Sequence, residues 1–302
     1  MGMNLREPLR YRLAKPLLFS RRLLKGIDRV SADTAFRVLL FHDLPDNQLA
    51  AFESLIQHVM AAHEIVRPEE TESILAGSPA SRRGRMRILI TFDDGFRSQA
   101  RMAERVLDRC DIKAIFFLCP GLMNMPVPRQ DEAVARYVFD GRIGRALPSE
   151  MNLMSWSEAE SLLAAGHTIG SHTSLHRRLS DLGPQELEAE IVDSGGLLEQ
   201  RLGKPVRWFA YPFGNIESVN EASYEVIRKR YSFCCSGLRG FNADDTHSLA
   251  LLRDCLDPLG PLEYQDFVLL GGLDLLYRSR ARKLQDMARQ AEQKRDEGWM
   301  PS

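Results

Sequence analysis

The sequence predicts an α/β fold with mostly parallel strands. Short β-branched or aromatic runs alternate with segments of helical periodicity, the pattern of strands joined by crossover helices. No internal repeat breaks that alternation. The size agrees: 302 residues, 44% hydrophobic and 27% charged, supply an ordinary globular composition and a large core. One or two domains fit this length, and a single α/β barrel is within range.

Charge and composition narrow the function classes. A net charge of −1 gives no global pull toward nucleic acid. No apolar run is long enough to cross a bilayer. Arg and Lys interrupt the apolar residues of "MGMNLREPLRYRLAKPLLFSRRLLKGIDRV", so it lacks a signal-peptide core. Cys110, Cys119, Cys234, Cys235 and Cys255 form no CxxC pair, and the odd count points to reduced thiols in the cytoplasm. The expected location is cytoplasmic, with the inner membrane face as a second possibility.

The elements follow in order. "RVLLFH" (37–42) reads as a buried strand, and "DNQLAAFESLIQHVMAAH" has helical periodicity. "GSPASRRGR" is a polar loop. "MRILITF" is the next strand, followed by a helix over 98–109 and the strand "KAIFFLC". The stretch 120–154 is long and irregular, the profile of a lid-like insertion. "SWSEAESLLAAGH" predicts a helix capped by Ser157 with Glu160 and stopped at Gly166. "TIGSH" is a strand. "PQELEAEIVDSGGLLEQRLG" is a helix with Pro184 near its start and Gly203 past its end. "VRWFAYPFG", "YSFCCS" and "LALLRDC" add strands, and the tail beyond Glu263 is helical.

The chemistry gathers in three places. "LITFDDGF" ends a strand in two adjacent carboxylates, Asp93 and Asp94, and a glycine. Alone, this is most simply a turn or a helix cap. "GSHTSLH" sets His172 and His176 at a strand exit with three residues between them, where both can face one ion. Two histidines and a carboxylate from another strand end leave positions open for water and substrate, as in catalytic metal sites. One aspartate can then be a ligand while its neighbour takes a proton, and the ion relieves their repulsion.

"TFDDGF", "SHTSLH" and "FAYPFG", in this order, resemble the polysaccharide deacetylase family, the NodB-homology carbohydrate esterases. The likeness extends over roughly 37–255. It implies a distorted (β/α) barrel, usually of seven parallel strands, and removal of acetyl groups from sugars with Zn²⁺ or a similar divalent ion. By that resemblance Asp93 is the catalytic base, and Asp94, His172 and His176 are the metal ligands. The backbone N–H of Phe213 holds the oxyanion, and Tyr211 and Phe213 border the substrate, with core packing as the alternative for both. The family's third motif often carries an arginine where Ala210 stands, and Arg253 or Arg97 are the candidates to replace its charge. The late-motif histidine has no match in setting, since His247 lies in the polar loop "ADDTHS". His42, at the end of the first strand, resembles the early catalytic histidine of the permuted branch. His58, His63 and His167 are expected to be helix-face or packing residues.

These expectations divide the chain into a basic N-terminal segment over 1–34, a catalytic domain over 35–260 and a helical tail over 261–302. The expected activity is metal-dependent de-N-acetylation of an amino sugar in a glycan or its precursor. The alternatives are deformylation or deacylation of a lipid-linked amino sugar, or a metal- and glycan-binding protein without activity. The expected partner is a carbohydrate, with peripheral membrane contact through the basic N-terminal segment. That segment equally fits an ordinary solvated amphipathic helix.

Overall fold

The computed structural model describes residues 36–77, 85–142 and 151–297. The basic segment over 1–34, most of the polar loop after Gly77, and residues 143–150 of the expected insertion lie outside the described residues. Strands β1 (Phe36–Phe41), β3 (Arg87–Phe92) and β4 (Ile115–Leu118) are buried along their whole length. Their near-continuous apolar character follows from being covered on both faces, as parallel strands under helices are. The short strand β2 (Glu64–Ile65) pairs with the start of β3. Strands β5 (Thr168–Ser171), β6 (Trp208–Ala210), β7 (Phe233–Cys235) and β8 (Asp254–Cys255) complete the sheet.

The strand order is β7-β6-β5-β4-β3-β1-β8, and every pairing is parallel. The segment leading into β8 returns to the far edge. Leu251 N–H donates to the Cys234 carbonyl at 2.9 Å, and Ser236 N–H donates to the Leu251 carbonyl at 2.8 Å. Three residues later β8 begins beside β1, with Leu39 opposite Asp254 and Leu40 opposite Cys255. Residues 251–255 thus join β7 to β1 and close a seven-strand (β/α) barrel. The ring is distorted because its later strands are short, three residues or fewer from β6 onward.

Aromatic side chains fill the first half of the core. Phe92 and Phe116 stack with centroids 4.7 Å apart, and Phe41 meets Phe52 edge to face at 5.2 Å. Burying each ring is worth about 1.5–3 kcal/mol. The tail helices, Leu262–Leu269 and Asp274–Glu297, belong to the same core through Val268, Leu284 and Ala288. Buried Arg37 of β1 ties the last helix down. It bonds both Asp254 of β8 and, at 2.7 Å, Asp274 at the helix start.

Three local expectations are corrected. The helix Trp156–Ala164 is capped by Ser155 and Glu158, not by Ser157 and Glu160. Both pairs have capping-box spacing, but Ser155 has the extended backbone a cap requires and accepts the Glu158 N–H. The stretch 120–154 is not irregular throughout, since it contains the helix Val127–Tyr137 with Pro126 before it. "LALLRDC" is a regular strand only at Asp254–Cys255.

Candidate metal and catalytic site

Parallel strands deliver their C-terminal ends to one rim of the barrel, and the site is built there. A pocket of about 270 Å³ opens between the ends of β1, β3, β5, β6 and β8. His42, Asp93, Asp94, His172, His176 and Phe213 all line it. The sequence motifs, up to 171 residues apart in the chain, thus converge on one cavity.

The DDG turn is shaped by its backbone. Asp93 still belongs to the sheet register, its N–H donating to the Phe41 carbonyl at 3.0 Å. Asp94 and Gly95 then take left-handed φ values of 77° and 78°. That reversal swings the Asp94 carboxylate toward β5 and lets the helix Arg97–Met102 begin at once. Among the described residues, six non-glycine positions have positive φ, and four of them are Asp94, Thr173, His176 and Phe213. Strain of this kind persists where surrounding contacts enforce it, and here it is concentrated at the pocket.

The two histidines are oriented from behind. His172 Nδ1 donates to the Ala210 carbonyl at 2.7 Å, and His176 Nδ1 to the Tyr137 carbonyl at 3.0 Å. A carbonyl only accepts, so Nδ1 carries the proton and each Nε2 lone pair is free for the pocket. Both Nε2 atoms face Asp94 Oδ1, at 3.5 Å and 3.3 Å. These spacings are long for hydrogen bonds. They match donors around a tetrahedral zinc, which stand about 3.4 Å apart for bonds near 2.1 Å. The donor atoms of Asp94, His172 and His176 lie within 4.8 Å of one another. The donor set therefore fits one divalent ion.

The loop carrying the histidines leans on Glu190, which the sequence reading did not single out. Its carboxylate accepts the Leu175 N–H at 2.9 Å, and its backbone carbonyl accepts the Ser174 N–H at 3.1 Å. Glu190 sits in a π-helical turn, Ala189–Asp193, within the helix expected over 184–203. Such turns often mark functional sites. Burial pushes its carboxyl up, against the bonds it accepts from the loop.

Asp93 has a different partner. Arg253 grips it with two bonds of 2.7 Å, one to each carboxylate oxygen. The guanidinium is wholly buried and also donates to the Ser236 carbonyl and to Thr91 Oγ1. Burial alone would push the Asp93 carboxyl up; the charge and hydrogen bonds of Arg253 outweigh it and hold it below the ordinary value. Burial likewise acts on Asp94, where the facing His172 and His176 imidazoles hold it well below that value. Arg253 is therefore the residue standing where the family arginine would act. Arg97 is not, because it pairs with Glu158 on the exposed surface.

His42 lies at the end of β1, exposed to the pocket. Desolvation in the pocket lowers its proton affinity, but the Cys255 thiol beside it and the charges of Asp94 and Asp93 prevail, raising it to about 9. Phe213 forms a wall of the pocket, edge-on to the His176 ring at 5.0 Å. Next to it, Gly214 at φ 65° lets the loops after β6 and β7 touch, since a Cβ there would fall 2.6 Å from the Gly237 nitrogen. Tyr211, expected to border the substrate, is instead placed in the core below, 1% exposed, with its hydroxyl donating to the Gly214 carbonyl. His247 is held by Glu292 and the Leu249 N–H away from the pocket. His167 packs on Phe116, and His58 pairs with Asp266.

The family model described as polysaccharide deacetylase matches residues 80–229, which contain both aspartates, both histidines and Phe213. A curated relative, the Bacillus subtilis protein named "Putative polysaccharide deacetylase YxkH", is 26% identical over 142 residues, 47% of this chain and 41% of the relative. The match therefore spans less than half of that relative's length. Among solved structures, the deacetylase PplD of Streptococcus pyogenes in complex with acetate superposes with a TM-score of 0.62 at 17% identity, over 78% of this chain and 98% of that one. The de-N-acetylase from Aggregatibacter actinomycetemcomitans gives 0.60 at 15% identity, over 78% and 100%. At these identities the likeness is one of fold. His42, Arg253 and Cys255 fall outside the segment matched by the family model, yet they line the same pocket as the motifs within it. Over residues 80–229 the chain belongs to the polysaccharide deacetylase family.

Proposed function

We propose that this protein is a metal-dependent de-N-acetylase of an amino sugar in a glycan or glycan precursor. The observation that carries this reading is the division of labour between neighbouring aspartates: Asp94 faces two histidine Nε2 atoms while Arg253 holds Asp93 ionised beside them. A protein that only bound glycans would not need the second arrangement. Asp94, His172 and His176 would hold the ion, with zinc best suited to this donor set. When bound, it supplies Lewis acidity, polarising a carbonyl and easing ionisation of water. Asp93 takes the proton of the attacking water. The Phe213 backbone N–H, on the pocket wall, donates to the oxygen that gains charge, a contribution typically worth about 3–4 kcal/mol. His42, protonated, gives its proton to the leaving nitrogen as the C–N bond breaks. The products are a carboxylate and a free amine.

The test is mass spectrometry of N-acetylated oligosaccharides incubated with zinc-loaded protein, alongside metal content. Loss of one acetyl group per turnover, absent in His172→Ala/His176→Ala, supports the reading. Full metal content in that double variant would overturn the ligand assignment. Wild-type protein that holds zinc but leaves every N-acetyl group intact would overturn the activity.

Membrane contact is part of the same reading. The basic segment over 1–34 lies outside the described residues, so its support comes from the last helix. There Leu275 and Leu276 are 75% and 72% exposed, and exposed Arg278, Arg280, Arg282 and Lys283 follow. Leucines beside clustered cations suit an anionic bilayer surface.

A further inference from the structure

The residue that closes the barrel beside His42 is a cysteine. We propose that Cys255 is a positioning residue for His42, and that amide hydrolysis depends on an unmodified thiol there. This rests on the deacetylase reading above.

Alternation along a strand sends successive side chains to opposite faces. On the closing segment this separates three consecutive residues by task. Arg253 points inward to Asp93. Asp254 points outward to Arg37 and Arg239. Cys255 points inward again and lines the pocket with His42. Parallel register places Leu40 opposite Cys255, so His42, two residues on, leaves β1 next to the thiol. The thiol and the imidazole sit side by side at the pocket edge and act on each other's proton affinity. The backbone under the thiol is fixed: Arg239 donates to the Cys255 carbonyl at 2.7 Å, and Leu256 N–H donates to the Leu40 carbonyl at 3.3 Å.

The other acidic groups at the pocket are committed. Asp93 is held by Arg253, and Asp94 belongs to the two ligand histidines. Among the pocket residues this leaves the thiol as the group that can fix the imidazole plane and aim its other nitrogen into the cavity. Cys255 is also the exposed cysteine of the five; Cys119, Cys234 and Cys235 are buried, and Cys110 is half-buried outside the pocket. A thiol reagent therefore has a preferred target. With methyl methanethiosulfonate, the Cys255 sulfur attacks the sulfenyl sulfur, forms a mixed disulfide and expels methanesulfinate. Dithiothreitol reverses the bond by thiol–disulfide exchange.

The experiment compares zinc-loaded wild type, Cys255→Ala, Cys255→Ser and Cys255→Asp on an N-acetylated oligosaccharide and on p-nitrophenyl acetate, whose leaving group needs no proton. Cys255→Ala is expected to lose about 10–100-fold in kcat on the amide, the scale of a misplaced catalytic group, with zinc content and KM retained and ester turnover little changed. Cys255→Asp, which restores an acceptor, is expected to recover most of the loss. Methyl methanethiosulfonate should block amide turnover by wild type reversibly and leave Cys255→Ser at its own rate. Equal losses on amide and ester, full amide kcat in Cys255→Ala, or equal inhibition of Cys255→Ser would each overturn the proposal. Should wild type hydrolyse no amide, the deacetylase reading fails, and the positioning claim is decided by the ¹⁵N shifts of the His42 ring. They move between wild type and Cys255→Ala if the thiol orients the ring, and unchanged shifts reject that role.

Discussion

Adjacent carboxylates at a strand end would ordinarily repel, and one would stay protonated. Here each has its own cation source. Arg253 neutralises Asp93, and Asp94 looks to the histidine pair. Asp93→Asn should therefore abolish measurable turnover while leaving zinc bound, and Asp94→Asn should weaken both. Metal content beside activity separates them, and an Asp93→Asn protein retaining most of the wild-type rate removes the general-base role. The second residue-scale expectation concerns His42. Its proton affinity is raised from 6.5 to about 9 in the metal-free fold. A raised value means that protonation favours the native state. That contribution is complete below pH 6.5 and is lost as pH rises through about 9. Histidine NMR titration of metal-free protein should give a His42 midpoint near this value, and a midpoint near 6.5 would show that Cys255, Asp93 and Asp94 do not act on it.

Among elements, the loop from β5 to His176 depends most on others for its shape. Its two histidines take their orientation from carbonyls on β6 and on the helix Val127–Tyr137, and its backbone amides rest on Glu190. Such outer contacts typically govern metal affinity by about 10–100-fold. Glu190→Ala should lower zinc affinity within that range, read by competition with a chelating dye, while the barrel's far-UV circular dichroism stays unchanged. Unaltered affinity would show that the left-handed turns at Thr173 and His176 hold without it. The same element shows what was legible beforehand. "GSHTSLH" announces its ligands locally, because both histidines leave one strand end. Glu190 lies in a helix whose pattern is that of any amphipathic segment, so nothing local marks it. Arg253 left a fainter signal: an arginine inside the apolar run "LALLRDC" has to find a partner if that run is buried. Which partner depended on the barrel closing between β7 and β1. Cys255 is two residues further along the same segment, and its neighbour His42 is 213 residues away in the chain.

For the whole molecule, barrel closure and the C-terminal helix are mechanically linked. Arg37 joins β1 to Asp254 on the closing strand and to Asp274 at the start of the last helix. The same helix buries Leu284, Ala288 and Ala291 against the barrel, so its opposite face is turned outward. Along the exposed first half of the helix Arg278, Arg280, Arg282 and Lys283 are ordinary solvated residues, but Leu275 and Leu276 are not. Two adjacent leucines in water gain nothing, whereas in the headgroup region of an anionic bilayer they lose apolar surface to water while the cations meet lipid charge. Each cation near such a surface is worth about 1 kcal/mol, and screening by salt weakens it. The full chain should therefore sediment with vesicles containing phosphatidylglycerol and stay in solution with phosphatidylcholine alone. Leu275→Glu/Leu276→Glu should weaken sedimentation at low salt without changing zinc content, because the pocket residues are untouched. Loss of sedimentation in high salt by wild type would mark the electrostatic part. Equal sedimentation of the double variant and wild type would remove this helix from the contact, and binding to both vesicle types alike would remove lipid charge as its basis.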